Sequence, residues 1–516
     1  MNRPLSLRQD VLPQLIKNSE AAWKRQNYQQ GIALLEQASR LAPNESRIWL
    51  YLGRCHGSRY DYEAAERCFE KAIRVDGWKT ESFLQAGRYC LAFQGYEMAA
   101  RFFERALKRD GQAVEILVEL ARIYLREGRP ADATELLNRA AQSDGDFTPM
   151  LLVRARLHRL AGELEAAERV LRSFVSRPEP NGWIQAEGWY ELGSTLDRQG
   201  RYDEAMKAFL EAKSVKLPVS APAAAASESA EADSKRMAET LSAEMLRRWH
   251  EPGSASPPRR LALLCGHPRS GTTLLEQVLD SHPEIVSAEE TRLFWEEAFA
   301  PLTRGWRQEI SSFVSILESA PPERLRQSRE DYFLCADRFV GQAVGGRLLI
   351  DKNPSLTSFI PAFARVFPEA KFLVALRDPR DVCLSCFMQP LFPTSPTSST
   401  YPSLEAAAAQ YASVMGLWLT IKPLMSCPFL EVRYEDVTKD LASAARRTLE
   451  FLGVPWDEQV LSFNQRCRNK LVRSPTYGDV KNPVTRGAVG RWRHYEKYFE
   501  PGLVKLEPFV KSLGYE

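Results

Sequence analysis

The sequence has no long apolar run and little net charge. No uninterrupted apolar stretch reaches the eighteen or so residues that a membrane-spanning helix needs, so we expect no membrane span. The formal net charge is +3 over 516 residues, which gives no indication of nucleic-acid binding; any anion site must depend on local charge. The first residues lack the apolar core of a secretory signal.

The cysteines also lack a paired pattern. There are nine of them, scattered along the chain, which is typical of reduced thiols rather than of a disulfide framework and predicts a cytoplasmic protein. Cys383 and Cys386 have the spacing of a metal or redox pair, but no second pair or histidine lies nearby in the sequence. We therefore interpret them as part of a buried helix face and expect no metal.

Residues 12–213 contain a repeat with a period of 34 residues. Two sets of small residues and two sets of mostly large residues recur at that spacing. They are Gly53, Gly87, Ala121 and Ala155; Ala65, Ala99, Ala133 and Ala167; Trp49, Phe83, Leu117 and Leu151; and Phe69, Phe103, Leu137 and Leu171. The period and the residue types resemble those of tetratricopeptide repeats, in which pairs of helices stack into an all-α solenoid. We expect about six repeats.

The concave face of such a solenoid commonly holds peptides or other proteins. Nothing in the repeats names a ligand, so two roles stay open. The array recruits a protein partner or an acceptor substrate, or it associates with a second copy of the chain or braces its neighbouring domain.

The chain after the repeats is predicted to form a linker, residues 214–258, and a second domain, residues 259–516. Residues 214–233 are small, polar and low in complexity, a composition that cannot build a core, and a helix is predicted over 234–249. The second domain alternates strand-like runs with helical stretches, which is typical of an α/β domain with a mostly parallel sheet. The candidate strands are 261–265, 348–350, 372–376 and 428–433.

The first candidate strand leads into a glycine-rich loop, Gly266-His-Pro-Arg-Ser-Gly271, with the spacing of a phosphate-binding P-loop. Backbone N–H groups of such a loop and the positive end of the following helix form an anion site. Thr272 stands where a nucleotide hydrolase carries the lysine that reaches the terminal phosphates, and Arg269 supplies a positive charge within the loop. The pattern predicts an anion-binding loop whose positive side chain is Arg269 rather than a lysine at position 272.

Residues 261–516 resemble the sulfotransferase fold, in particular the tyrosylprotein sulfotransferases and their bacterial relatives. The motifs that carry the resemblance are Pro268-Arg-Ser-Gly-Thr-Thr273, Leu279-Asp-Ser-His-Pro283, Glu289-Glu-Thr-Arg292, Asp351-Lys-Asn-Pro354, Arg377-Asp-Pro-Arg380 with Ser385, Glu431-Val-Arg-Tyr434 and Gly487-Ala-Val-Gly-Arg-Trp492. The resemblance implies a P-loop-like domain that uses 3′-phosphoadenosine 5′-phosphosulfate as sulfuryl donor, without a bound metal. One position departs from the family pattern, since Gln389 stands where relatives often carry a basic residue.

The same resemblance implies how the donor would be held. The residues implied to bind it are Arg269, Ser270, Gly271, Thr272 and Thr273 for the 5′-phosphosulfate, Arg377 and Ser385 for the 3′-phosphate, and Tyr434 and Arg491 for other parts of the cofactor.

Three further residues are implied to take part in the transfer. Glu290 is implied as the general base that removes the proton of the acceptor hydroxyl, with Glu289 as the rival position. Lys352 and Thr476 are implied to stabilise the negative charge of the transition state. Ser474 is the alternative to Thr476.

Sulfuryl transfer to an acceptor hydroxyl is the function that these residues indicate. A P-loop kinase or ATPase is one alternative, which Thr272 and the absence of an obvious magnesium-binding aspartate in the sequence disfavour. A repeat scaffold with an inactive second domain is another, which the complete set of Glu290, Lys352 and Arg377 disfavours. The acceptor stays open: a protein tyrosine, a carbohydrate, a lipid or a small molecule.

Overall fold

The computed structural model describes residues 5–25, 27–145, 147–177, 181–250, 258–303, 311–341, 343–390, 401–469 and 480–516. The chain divides into two compact units. One comprises Met1–Met150 and Tyr332–Ala343, and the other comprises Leu151–Asp331 and Val344–Glu516. The division therefore falls inside the repeat array rather than at the linker predicted over 214–258.

The N-terminal part of the chain consists of helices in consecutive pairs. Within the described residues the pairs are α1 (Leu5–Lys24) and α2 (Tyr28–Leu41), α3 (Ser46–Ser58) and α4 (Tyr62–Val75), α5 (Thr80–Ala92) and α6 (Tyr96–Leu107), α7 (Val114–Glu127) and α8 (Pro130–Ser143), α9 (Pro149–Leu160) and α10 (Leu164–Val175), and α11 (Gly182–Arg198) and α12 (Tyr202–Thr240). The helical repeat architecture that the 34-residue period predicts is confirmed.

The recurring small and large residues meet where the two helices of a pair cross. In the α3–α4 pair, a Cβ on Gly53 would lie 2.5 Å from the Phe69 ring, and in the α5–α6 pair, a Cβ on Gly87 would lie 2.1 Å from the Phe103 ring. Both phenylalanines are fully buried, and burial of each such ring contributes roughly 1.5–3 kcal/mol. The close crossing requires glycine, which explains why the two residue types recur together.

The segment predicted as a low-complexity linker is helical. α12 continues from the last repeat through residues 214–233 to Thr240. A separate helix, α13 (Ala243–His250), follows in place of the single helix predicted over 234–249. The composition was misleading, because the small residues include the alanine run 223–226 and alanine has the highest helix propensity. Residues 251–257 of the predicted linker lie outside the described residues.

In the described part of the chain, five strands form one parallel sheet. They are β1 (Leu261–Gly266), β2 (Ile285–Glu289), β3 (Leu348–Lys352), β4 (Lys371–Leu376) and β5 (Phe429–Arg433). Their order is β2-β3-β1-β4-β5, and every neighbouring pair is parallel. The predicted α/β fold is confirmed. β2 was not among the predicted strands, because Ser287 and Glu289 interrupt its apolar residues.

Further helices accompany the sheet. They are α14 (Thr272–Asp280), α15 (Ala300–Thr303), α16 (Ser311–Ser319), α17 (Pro322–Val340), α18 (Ile360–Val366), α19 (Pro379–Phe387), α20 (Leu404–Ile421), α21 (Tyr434–Lys439), α22 (Leu441–Leu452), α23 (Phe463–Asn469) and α24 (Glu500–Ser512), with shorter 3-10 or π-helical segments at Phe294–Phe299, Pro354–Phe359, Lys422–Leu424, Glu458–Ser462 and Arg491–Tyr498. None of the described helices combines the length and the apolarity needed to cross a bilayer.

The core of the second unit lies on the central strands. All six residues of β1 are buried, as expected of a parallel strand that is covered on both faces. Leu264 and Leu373 of the sheet share one core cluster with Leu275 of α14 and Leu449 of α22. In the same unit, α12 packs against α16 and α20, so the last repeat and the sheet domain are parts of one compact unit.

Candidate active site

The carboxyl ends of the five strands meet at one edge of the sheet, where α/β folds of this kind bind their ligands. β1 ends at Gly266, which opens the glycine-rich loop, and β3 ends at Lys352. β2, β4 and β5 run directly into Glu290, Arg377 and Tyr434, respectively. Parallel pairing thus brings residues from five distant parts of the sequence to the same edge.

The glycine-rich loop is a tight turn from β1 into α14. Gly266 has a φ of 130°, and a Cβ there would lie 2.3 Å from the carbonyl oxygen of Ala375 on β4. Its N–H donates to Thr357 Oγ1 at 2.8 Å. α14 begins at Thr272, so the N–H groups of its first turn and the positive end of its dipole face the loop.

Five predicted cofactor residues form one contiguous cluster around this loop. Arg269 Nε donates to Ser385 Oγ at 2.9 Å, and Arg377 Nη1 donates to the carbonyl oxygen of Arg269 at 3.1 Å. The Arg377 guanidinium carbon lies 4.8 Å from the centre of the Tyr434 ring. That ring packs on Gly271, where a Cβ would lie 2.5 Å from Tyr434 Cδ2. Ser270, Thr272 and Thr273 are buried in the same loop and helix start.

Lys352 lies between two carboxylates. Its Nζ is 2.6 Å from Glu290 Oε1 and 3.2 Å from Glu276 Oε2. The side chains of Lys352 and Glu276 are fully buried, whereas the Glu290 side chain is 32% exposed. The rival carboxylate, Glu289, is buried and accepts a hydrogen bond from Gln277 Nε2 at 3.3 Å. Among these carboxylates, Glu290 is therefore the one that a substrate can reach.

The carboxylates fix the charge of Lys352. Burial disfavours the protonated amine, but Glu276 and then Glu290 more than offset that effect, so the pKa of Lys352 lies above its usual range. Lys352 is consequently a permanent cation at physiological pH. A cation fixed at the edge of a ligand site can stabilise negative charge that develops on an oxygen.

Two non-glycine residues of the site have a left-handed backbone. The φ angles are 74° at Arg269 and 46° at Glu290. Such a conformation costs about 1–3 kcal/mol per residue and clusters at functional sites. At Glu290 the conformation is supported by the backbone, since its N–H donates to the Lys352 carbonyl oxygen at 2.8 Å.

Sequence reasoning gave no site role to Glu276 or to Asp381, which it considered only as a possible partner of Arg377. Glu276 lies on α14 among apolar residues, with Ser287 Oγ as a further hydrogen-bond donor. A charged residue inside an otherwise apolar helix face was the available signal, because charged residues are rarely buried without a partner. Asp381 lies on α19, four residues after Arg377 in the chain. Burial raises the pKa of the Asp381 carboxyl.

The C-terminal segment reaches the cluster through its backbone. Arg377 Nη2 donates to the carbonyl oxygen of Ala488. Asp381 accepts hydrogen bonds from the N–H groups of Gly490 at 2.6 Å and Trp492 at 2.9 Å. The side chain of Arg491, predicted as a cofactor contact, instead pairs with Asp197 of α11. Thr476 and Ser474 lie outside the described residues.

The described residues suit a ligand with several phosphate or sulfate oxygens. Arg377 Nε is buried and has no hydrogen-bond partner among them. The start of α14, two arginines and a permanently charged lysine surround the same edge of the sheet. Cys383 and Cys386 are buried on α19, as predicted.

Comparison with known proteins identifies both parts of the chain. Residues 262–458 match the sulfotransferase family, and residues 17–77, 91–157 and 186–215 match tetratricopeptide repeats. The chain carries a sulfotransferase domain behind tetratricopeptide repeats.

Several known proteins are similar to parts of this chain. An uncharacterized protein of Aquifex aeolicus is 25% identical over 67% of this chain and 44% of its own length. Protein-tyrosine sulfotransferase A of Caenorhabditis elegans is 24% identical over 49% of this chain and 66% of its own length. Both matches thus span less than two thirds of the relative. A solved structure, the sulfotransferase domain of the Synechococcus PCC 7002 olefin synthase, is 22% identical over 50% of this chain and 97% of its own, with a TM-score of 0.36.

Proposed function

We propose that the protein transfers a sulfuryl group from 3′-phosphoadenosine 5′-phosphosulfate to an acceptor hydroxyl. The observation that carries the proposal is the convergence at one sheet edge of an anion-binding loop, a permanently charged lysine and an exposed carboxylate. These are the glycine-rich loop with Arg377, Lys352 and Glu290. The donor, when bound, supplies an activated sulfate whose bond to phosphate is the one that breaks.

The cluster of Arg269, Gly271, Arg377, Ser385 and Tyr434, called the donor cluster below, is proposed to hold the donor. The loop residues Arg269–Thr273 and the start of α14 offer backbone N–H groups and hydroxyls for the phosphosulfate. Arg377 and Ser385 are proposed for the 3′-phosphate, with the buried Arg377 Nε as one available donor. Tyr434 packs on Gly271 and Arg377, a position from which it would shape the adenosine side of the site.

The Glu290–Lys352 pair is proposed to carry out the transfer. Glu290 removes the proton of the acceptor hydroxyl, and its partial exposure allows that contact. Lys352, held charged from behind by Glu276, stabilises the negative charge left on the bridging oxygen. Thr476 remains a proposed sulfate contact on the basis of the family resemblance.

A tyrosine of a protein or peptide is the proposed acceptor, since several relatives are called protein-tyrosine sulfotransferases. The repeats are proposed to recruit that protein or a partner on their concave face. A tethered binding surface raises the effective concentration of whatever it holds.

Labelled sulfate transfer tests the proposal. The full chain would be incubated with donor carrying radioactive sulfur and with a lysate of its host, and the labelled products would be identified by mass spectrometry. Label on hydroxyl groups that is lost with Glu290→Gln supports the proposal. If the chain is stabilised against heat by ATP with magnesium and not by the desulfated donor product, the kinase alternative replaces it.

A further inference from the structure

We infer that the last tetratricopeptide repeat supports the donor site indirectly, with Asp197 of α11 as a positioning residue for the C-terminal segment 488–492. The inference rests on the proposed function, because that segment contacts the arginine proposed for the 3′-phosphate. Asp197 touches neither Arg377 nor the loop in the described contacts; it acts through Arg491.

One side of segment 488–492 is held by Arg377 and by Asp381 of α19. Arg377 Nη2 donates to the Ala488 carbonyl oxygen. Two residues further on, the Gly490 N–H donates to Asp381 Oδ2, and the Trp492 N–H donates to Asp381 Oδ1. A single buried carboxylate on α19 thus fixes the backbone on both sides of Arg491.

The other side is held by the last repeat. Asp197 Oδ1 accepts from Arg491 Nε at 3.3 Å and from the Tyr495 hydroxyl at 2.6 Å, and its Oδ2 pairs with Arg491 Nη2 at 2.5 Å. The Asp197 side chain is only 10% exposed. Its hydrogen bonds to a charged partner are therefore poorly screened by water, and such bonds are among the stronger ones in proteins.

The backbone explains how one short segment serves both neighbours. Gly490 has a φ of 72°, a left-handed turn that glycine adopts readily. After this turn, the Arg491 side chain is bonded to α11 while the flanking N–H groups of Gly490 and Trp492 are bonded to α19. Arg491 is consequently a link between the repeat and α19.

Loss of Asp197 would release that link without touching the reacting atoms. The segment would then hold the Ala488 carbonyl oxygen against Arg377 for a smaller fraction of the time, and Arg377 would be less well placed for a phosphate. We therefore expect a higher KM for the donor with little change in kcat, whereas general damage to the fold would reduce the fraction of active enzyme and so lower the apparent kcat.

The experiment compares Asp197→Asn with a matched control, Asp203→Asn, in the full chain. Asp203 also pairs with the C-terminal part, through Lys497 and Tyr498, but it is 59% exposed and lies outside the linked segment. Calorimetric titration with 3′-phosphoadenosine 5′-phosphate should show binding that is about 2- to 30-fold weaker in Asp197→Asn, the range for coupling through intermediate residues. Asp203→Asn should bind as the wild type does.

A double-mutant cycle separates this role from a direct contact between Arg491 and the donor. If Asp197 and Arg491 act as one unit, Asp197→Asn, Arg491→Gln and the double variant all weaken binding to the same extent. An Arg491→Gln loss that Asp197→Asn does not share overturns the inference, as does an equal loss in Asp203→Asn.

Amide hydrogen exchange of residues 488–492 keeps the inference testable apart from the proposed function. Faster exchange of these amides in Asp197→Asn, but not in Asp203→Asn, supports the link between Asp197 and the segment. That conclusion holds even if the wild type binds no adenosine phosphate, a result that would contradict the proposed function but not the link. Unchanged exchange overturns the link. If Asp197→Asn does not fold, Arg491→Gln supplies the same comparison from the other partner.

Discussion

Glu290 and Lys352 form the ion pair on which the proposed chemistry depends. Replacing Glu290 by glutamine keeps the size of the side chain but removes the base, so kcat should fall by roughly 10²–10⁴-fold. Affinity for the donor product should stay unchanged, because Glu290 pairs with Lys352 and is not a member of the donor cluster. Steady-state kinetics and calorimetry measure the two quantities.

Glu289→Gln is the matched comparison for that experiment. Glu289 precedes Glu290 in the chain, but it is buried against Gln277. A loss of kcat that is larger in Glu289→Gln than in Glu290→Gln would transfer the role of base to Glu289.

Glu276 gives the site a pH dependence that can be measured. The raised pKa of Lys352 means that its stabilising charge is fully present below the usual lysine pKa of ~10.4 and is lost only as pH rises through the higher folded value. Glu276→Gln removes the largest single Coulombic attraction that raises the pKa of Lys352. The alkaline limb of kcat and the alkaline loss of thermal stability should therefore both move to lower pH.

The control for Glu276 is Glu284→Gln. Glu284 forms an exposed ion pair with Arg260, and such pairs contribute little. Alkaline limbs that coincide in the wild type and in Glu276→Gln would show that Glu276 does not hold the charge of Lys352.

At the scale of the element, the glycine-rich loop depends on a close approach between two strands. In Gly266→Ala, the new Cβ would lie 2.3 Å from the Ala375 carbonyl oxygen at a φ of 130°. Since backbone atoms on β1 and β4 must shift, we expect a loss of about 1–3 kcal/mol in the free energy of unfolding, measured by denaturant titration.

Gly200→Ala is the matched control for the loop. Gly200 also has a left-handed φ, of 74°, but nothing lies within 4 Å of a Cβ built there. It therefore reports the conformational cost alone. Equal losses in the two variants would mean that the contact with Ala375 does not constrain Gly266.

The elements that sequence could predict are those with a long or regular pattern. The repeat helices follow from their period, and four of the strands from apolar runs between turns. In β2, Ser287 and Glu289 interrupt the apolar run, and the linker prediction over 214–233 weighed low complexity above the helix propensity of alanine. The pairing of Arg491 with Asp197 joins residues that are distant in sequence, which no local pattern encodes.

The site could be predicted only in part for a similar reason. The order of motifs identified Arg269, Lys352 and Arg377 through family resemblance, and the structure brings them to one edge of the sheet. Glu276 on α14 was not predicted as a site residue because its partner, Lys352, comes from β3, far along the chain. Burial and pairing are tertiary properties. A charged residue on an apolar helix face therefore indicates that a buried partner exists, but it does not show which residue that partner is.

At the scale of the whole molecule, the second compact unit begins at Leu151, which predicts a place to cut the chain; Tyr332–Ala343, which belong to the first unit, stay in the C-terminal piece. The sequence predicts a second domain over 259–516 that follows a linker, but the compact unit also contains most of α9 and all of α10–α12. We expect residues 151–516 to bind the donor product as the full chain does. Residues 234–516 should bind it more weakly or be insoluble, because Asp197 and most of α12 are missing. Equal affinity and solubility of both pieces would contradict this.

Removal of residues 1–150 also tests whether the repeats recruit the acceptor. If residues 1–150 hold the acceptor, their removal should reduce sulfation of a large native acceptor far more than sulfation of a small phenol. An unchanged preference between the two acceptors would show that this part of the array has another role.

The most direct measurement is calorimetric titration of the full chain with 3′-phosphoadenosine 5′-phosphate, adenosine 5′-phosphate and ATP with magnesium. The wild type should bind the first most tightly. Arg377→Ala should weaken its binding by about 1.5–3 kcal/mol, the range for a hydrogen bond to a charged group, while barely changing the binding of adenosine 5′-phosphate. Tighter binding of ATP with magnesium, or equal losses for both adenosine phosphates in Arg377→Ala, would contradict a site built for a 3′-phosphorylated sulfuryl donor.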